Sequence, residues 1–549
     1  MMILSTCIAA CLAGGQGPGF TAIVDDPHSH GFVGDSLLSL DEAIRLANGT
    51  LLLSNLSTAE QARVATTSAT TEIIVDAANT PVITIQAPLT SLTGLAGSTS
   101  IVRVTGIPTA STLPILDGGT QSAIVSLSTR FAMIYGFRFE NGGIAIDAKM
   151  APSGPPAMQM AMVSNCEFEG QTSSAIRLLG TGNDSTKMMV RDCSMRNMPV
   201  GFRMDDQTAN GTLMSDNERI TMDGVTLGCS FFAGGSGQVS MWSIWRSSFV
   251  NGETLAKSTR APTATQLMML RIVYTDATCS GDVVDMEGTS AGTSMVHHHH
   301  SDWVAGPNKH CLLTHPRTAQ FDVHGSEMSF DGDILMAGGT TSPRFWHQNN
   351  EYKNGTITFD IEGALPNLVW NRYENCSINV PALARSPVVI RDSQFIGTNI
   401  DSQSFLAPAN LSGCYRSGSA LSGFTNETDN APVPFLGTTE VTPREPRVGD
   451  NLHLSADLPS GISLVWDIAE SYSRPTTSTE PVRFYGDPTL AVLLPIVVIF
   501  QSTITVPIPT TPALAGLEFY AQGIAIPWTT MPHAPAYQLP RGGRIYIQP

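Results

Sequence analysis

The stretch that decides the fold is Met188-Met189-Val190-Arg191-Asp192-Cys193-Ser194-Met195, because the chain writes the same short phrase eleven times. Aligned on a bulky or apolar last residue, it recurs as Ile134 to Phe139, Val163 to Phe168, Val190 to Met195, Met222 to Leu227, Ile244 to Phe249 and Ile272 to Ala277. It continues as His298 to Trp303, Gly325 to Phe330, His347 to Tyr352, Leu368 to Tyr373 and Ile390 to Phe395. The last residues, called anchors below, are 21 to 32 positions apart. A period of that size belongs to solenoids, in which each repeat buries its apolar face only against its neighbours.

The phrase reads by column. The fifth position before the anchor is mostly apolar (Ile134, Val163, Val190, Met222, Ile244, Ile272, Leu368, Ile390), and so is the seventh (Met188, Ile220, Trp242, Leu270, Val296, Val323, Phe345, Val388). Side chains alternate along a strand, so these columns point inward and the sixth and fourth point outward. The third position holds Gly136, Asn165, Asp192, Gly224, Asn349 and Asp392, residue types that tolerate a left-handed corner. Strand, one-residue corner and second strand make the rung of a parallel β-helix. Cys166 and Cys193 then share an inward column on adjacent rungs. A spacing of about 4.8 Å puts a disulfide within reach, while parallel side-chain vectors favour two stacked thiols.

Composition agrees with an all-β chain. Of 549 residues only 14% are charged, against about 25% in ordinary soluble domains, while Gly (49) and Pro (35) mark many turns. The net charge of −17, with no basic run, excludes nucleic acid as the expected partner. Residues 1–19 read as an export signal, small and apolar from Met1 to Gly15 without a basic start. Ile8-Ala9-Ala10-Cys11 matches a bacterial lipoprotein box that would lipidate Cys11. Leu490 to Phe500 contains Pro495 and is too short to span a bilayer, which takes about 20 residues. It reads as a buried strand, so no transmembrane segment is expected. Export leads to a secreted or cell-surface protein.

The one strong helix signal is Ser39-Leu40-Asp41-Glu42-Ala43-Ile44-Arg45-Leu46-Ala47-Asn48-Gly49, with Ser39 and Glu42 as a capping box and Asn48-Gly49 as the stop. "LSLDEAIRLANG" resembles the "SLREAI" element that opens many bacterial right-handed parallel β-helices of the pectin-lyase-like kind, where an amphipathic helix caps the open end. Here Asp41 replaces the usual Arg. Ile115-Leu116-Asp117-Gly118-Gly119 resembles a turn common in their early rungs, after short β-like runs at Glu72 to Val75, Val82 to Ile85 and Ile101 to Val104. Residues 425–440 read as a linker. Residues 441–549, with alternating runs at Leu452 to Leu458, Val482 to Tyr485, Ser502 to Ile508 and Leu517 to Ile526, read as an antiparallel β-sandwich. The end of the chain, "TPALAGLEFYAQGIAIP" from Thr511 and "LPRGGRIYIQP" from Leu539, is similar to a C-terminal domain of secreted planctomycete proteins. The expected architecture is a capped right-handed parallel β-helix over 20–424, clearest over 131–400, followed by that sandwich.

Stacking the outward columns concentrates polar groups on four successive rungs. The sixth position reads Arg271, His297, His324, Trp346, and the fourth reads Val273, His299, Ser326, Gln348. The corner reads Tyr274, His300, Glu327, Asn349, and the position before the anchor reads Asp276, Asp302, Ser329, Glu351. Similarity to β-helix polysaccharide lyases and polygalacturonases implies a groove for an extended acidic polysaccharide. In it Asp276, Asp302, Glu327 and Glu351 would serve as acid/base or calcium-binding carboxylates, with Arg271 as the basic group. Trp346, His299, Gln348 and Tyr274 would contact sugar. His297 and His324 suit a divalent metal, with no obvious third ligand. His298 and His347 point inward, as buried imidazoles. Asp205-Asp206 reads as a solvated loop pair. Solvated polarity without function explains the same columns, so three readings stand: a non-catalytic binder of cell-envelope glycan or other surfaces, a polysaccharide lyase or glycoside hydrolase, and a structural spacer or filament subunit.

Overall fold

The computed structural model describes residues 19–29, 34–67, 70–94, 101–110, 112–128, 131–149, 158–183, 185–339, 344–363 and 366–428. Beyond these it describes 439–442, 446–456, 462–469, 497–499, 503–508, 510, 517–527 and 543–547. The export reading of the N-terminus and the strand expected at Val482 to Tyr485 lie outside the described residues. Parallel β-strands dominate, wound into a solenoid, and helices are few. Two compact units divide the chain: residues up to His297 with Trp303–Asp322, and His298–Asp302 with Val323 onward.

In the first unit, Gly19–Val24, Thr71–Asp76, Val102–Ile107, Phe131–Tyr135 and Met158–Ser164 pair in parallel, each with the next. Ser185–Thr208, Thr212–Ala233, Val239–Gly252 and Leu267–Cys279 extend the same ladder. Helix Leu40–Ala47 forms where expected. Ser39 Oγ accepts from the Glu42 N–H at 3.2 Å, and Glu42 accepts from the Ser39 N–H at 2.9 Å, so two otherwise orphaned donors are satisfied. Its apolar residues Leu40, Ala43, Ile44 and Ala47 are buried, and the helix packs against Gly19–Val24 and Thr71–Asp76.

In the second unit each turn supplies three short parallel ladders. One runs through Arg344–Gln348, Asn367–Val369, Val388–Arg391, Ala409–Ser412 and Thr425–Thr428. The solenoid therefore extends four residues into the expected linker. Of the remainder, Thr439–Thr442, Asn451–Ala456 and Thr503–Pro507 form one antiparallel sheet. Val497–Ile499, Ile462–Ala469, Glu518–Pro527 and Gly543–Tyr546 form another.

The pairing corrects one rung. Val190 lies opposite Asn217 and Met195 opposite Met222, and these pair onward with Ile244 and Phe249. The phrase is thus Asn217 to Met222, and Met222 is an anchor rather than a first residue. Hydrophobic matching missed it because this rung turns polar groups inward. Ser215 and Asn217 are fully buried and satisfy each other, Ser215 Oγ donating to Asn217 Oδ1 at 3.0 Å while Asn217 Nδ2 donates to the Ser243 carbonyl at 2.8 Å. With this change the anchors Met195, Met222, Phe249 and Ala277 fall 27, 27 and 28 residues apart.

Every corner adopts the left-handed conformation, from Gly136, Asn165 and Asp192 through Arg219 (φ 57°) and Arg246 to Trp370 and Asp392. Arg219, not Gly224, is the corner of the corrected rung. Gly224 belongs to a second left-handed column two residues past the anchor, with Asn141, Asn197, Asn251, Asn354 and Asn375. Bulky residues in this conformation are uncommon and need support from their surroundings. The residue one past a corner gives that support. Its side chain accepts the N–H that the corner leaves without a ladder partner on the preceding coil: Ser247 from Ile220 at 2.9 Å, Asn350 from Met328 at 3.0 Å, Asn371 from Asn350 at 2.9 Å and Ser393 from Asn371 at 3.1 Å. Thr398 and Ser419 do the same at the second corner. Cys166, Cys193 and Cys414 stand in this column as free thiols, each donating to the carbonyl two residues back. Burial pushes the Cys279 and Cys414 thiols up to about 12, so they stay protonated.

Candidate functional site

The candidate residues divide between the two units. In the second, corner residues His300 and Glu327 (φ 55° and 59°) are in close contact through His300 Nδ1, and Glu327 is only 4% exposed. His299 Nδ1 hydrogen-bonds Ser326 Oγ at 2.8 Å. The His324 and Trp346 rings meet edge to face with centroids 5.7 Å apart. Gln348 and Glu351 are nearly buried. Glu351 is held by Lys353 Nζ at 3.0 Å and by Arg372 Nε at 3.6 Å, its register partner on the next coil. Asp302 is half-buried.

Behind this face, His298 and His347 are fully buried, as their register requires. Their rings lie 5.0 Å apart, edge to face. The His298 imidazole fills the space in which a side chain at Gly325 would sit, which accounts for the glycine in that inward column. His347 Nδ1 lies 2.6 Å from the Tyr352 hydroxyl. Burial, with lesser contributions from His324 and His299, holds the His347 imidazole down at about 3, so it is neutral at ordinary pH.

In the first unit, the Arg271 guanidinium sits 4.2 Å over the Trp245 ring, a cation–π contact. Trp245 was not among the residues singled out by sequence, although it occupies the outward fourth position. Tyr274 is the left-handed corner of its rung (φ 52°), half-buried, while Asp276 is exposed opposite Ser248. His297 is half-buried near the end of strand Thr293–His299. A cleft of about 370 Å³ lies elsewhere in this unit, lined by Pro108, Thr109, Thr112, Leu113, Arg138 and Glu167. Arg138 there is engaged by Glu140 and Glu169 at 2.7 and 2.6 Å.

Asp206 departs from its reading as a solvated loop residue. It lies within strand Ser185–Thr208, fully buried, accepting from the Thr208 N–H at 2.8 Å and from Ser240 Oγ. Burial raises its carboxyl above the ordinary range. Among the described residues no group of three His, Cys, Asp or Glu side chains is placed to hold a metal ion. Nor is any described helix long and apolar enough to cross a membrane. Compared with protein-family models, with curated proteins and with solved structures, the chain matches none. What fold and site define together is a parallel β-solenoid with a polar and aromatic outward face.

Proposed function

We propose that the protein is an exported β-solenoid that binds an extended glycan of the cell envelope or its surroundings without cleaving it. In this reading the N-terminal helix serves as a pectin-lyase-like end cap and the C-terminal antiparallel sheets as an attached module. The observation that carries it is how the carboxylates are engaged. Glu327 is tied to His300, and Glu351 to Lys353 and Arg372. A carboxylate engaged by neighbouring side chains on fixed coils is less free to meet a substrate, which suits a scaffold better than an acid/base pair. Beside them, Trp346 with His324, and His299 with Ser326, all half-buried, offer a ring face and hydrogen-bonding groups of the kind that sugars meet.

Glycan arrays and a polyuronate cleavage assay, with and without calcium, test this together. The purified protein retains a polysaccharide and releases no product, and Trp346→Ala weakens retention by about tenfold, the equivalent of roughly 1.4 kcal/mol. Cleavage products, or retention unchanged in Trp346→Ala, would overturn it.

A further inference from the structure

The outward face of the first unit is lined with methionine. Met133, Met162 and Met189 are register partners in one column, and Met214, Met241 and Met269 in another. Outward strand positions favour β-branched, aromatic or polar residues, and an unbranched thioether is a poor choice for either strand propensity or solubility. What methionine offers there is a pliable stem and a soft sulfur donor. None of these six is exposed: Met189 is 4% exposed and the others are half-buried. The side chains therefore lie within the face rather than standing out for a partner, which favours sulfurs that serve one another's neighbourhood over a docking surface.

The column Met214, Met241, Met269 is the better placed. On one side it is flanked by Thr212, Val239 and Leu267, which carry no charge. On the other side stand Asp216, Ser243 and Arg271; Lys187, the register partner of Met214 on the preceding coil, reaches Asp216 at 3.7 Å, and Arg271 is stacked on Trp245. Adjacent strands are about 4.8 Å apart, and methionine has three rotatable side-chain bonds, so the two outer thioethers can lean toward an ion above Met241 without moving the backbone. Neutral sulfur donors select soft cations such as Cu(I) and leave calcium, magnesium and zinc to harder ligands.

We propose that Met214, Met241 and Met269 form a three-thioether site for a soft monovalent cation of the Cu(I) type. The site is independent of the glycan reading. Ag(I), which needs no reductant, is the probe. With the methionine methyl groups carbon-13 labelled, the first equivalent of Ag(I) shifts the Met214, Met241 and Met269 signals together and leaves those of buried Met188 and Met222 in place. In calorimetry, Met214→Leu/Met241→Leu/Met269→Leu, which conserves volume closely, loses roughly tenfold or more of the affinity for that first ion. Both proteins keep the same buried cysteines, so the difference reports the thioethers. Unchanged Ag(I) affinity in the triple variant, or first-equivalent shifts confined to other methionines, would overturn the site. The methyl readout decides the matter in the unaltered protein if the variant fails to fold.

Discussion

The two units use the same phrase at two lengths. In the first, Met195, Met222, Phe249 and Ala277 are 27, 27 and 28 residues apart. In the second, Phe330, Tyr352, Tyr373 and Phe395 are 22, 21 and 22 apart. Composition changes with length. The short coils stack aromatic anchors face to face, Tyr352 on Tyr373 at 4.7 Å and Tyr373 on Phe395 at 5.0 Å. They run a continuous Asn350–Asn371–Ser393 hydrogen-bond ladder beside that stack. The long coils put methionine at two of those four anchors and methionine again on the outer face. A short turn leaves little freedom in how successive coils superpose, and flat rings with rigid amides fit that regularity. A long turn also stacks one such pair, Phe139 on Phe168 at 5.1 Å, and pliable methionine fills the space at two later anchors.

The largest expected effect falls on the aromatic stack. Tyr373→Ala costs about 3–5 kcal/mol, and the matching anchor change Met222→Ala costs less, both read by denaturant midpoint. Equal losses would remove the distinction between the cores. Next comes acid. The His347 imidazole is held at about 3 in the fold against an ordinary 6.5, so the unfolded chain takes up the proton first. The contribution is fully present above pH 6.5 and declines as pH falls toward 3, on the order of 5 kcal/mol in all. His347→Gln flattens the stability profile over that window, and an unchanged slope would contradict the buried neutral state. Asn371→Ala orphans the buried N–H of Asn350 and costs about 1–3 kcal/mol, more than Ser247→Ala in the first unit. The smallest effect is Arg271→Gln, which removes a surface cation–π contact worth roughly 0.5–1 kcal/mol.

Much of this was legible in sequence. Anchor spacing announced the solenoid, and the Gly, Asn and Asp corners announced left-handed residues that then included Arg246, Tyr274, His300, Glu327 and Trp370. The buried states of His298 and His347 followed from register alone. The Asn217 rung did not, because its inward residues are polar and are satisfied by each other and by Ser243 on the neighbouring strand. The second corner column was readable as Asn or Gly two residues past the anchor, a signal hidden once the Met222 rung had slipped by five. The ties on Glu327 and Glu351 depend on which side chain stands on the adjacent coil. Glu351 opposite Arg372 and His300 beside Glu327 could both be counted from the anchors, but not which of their atoms meet.

The most direct test of the account is the register of the Asn217 rung. Thr221 lies opposite Ser248 on adjacent coils, about 4.8 Å apart between strands, whereas the slipped alignment would place Thr226 there. Spin labels at Thr221→Cys with Ser248→Cys should show strong dipolar broadening, and labels at Thr226→Cys with Ser248→Cys should show clearly less. The reverse pattern would contradict the coil register on which the core, the corners and the methionine column all rest.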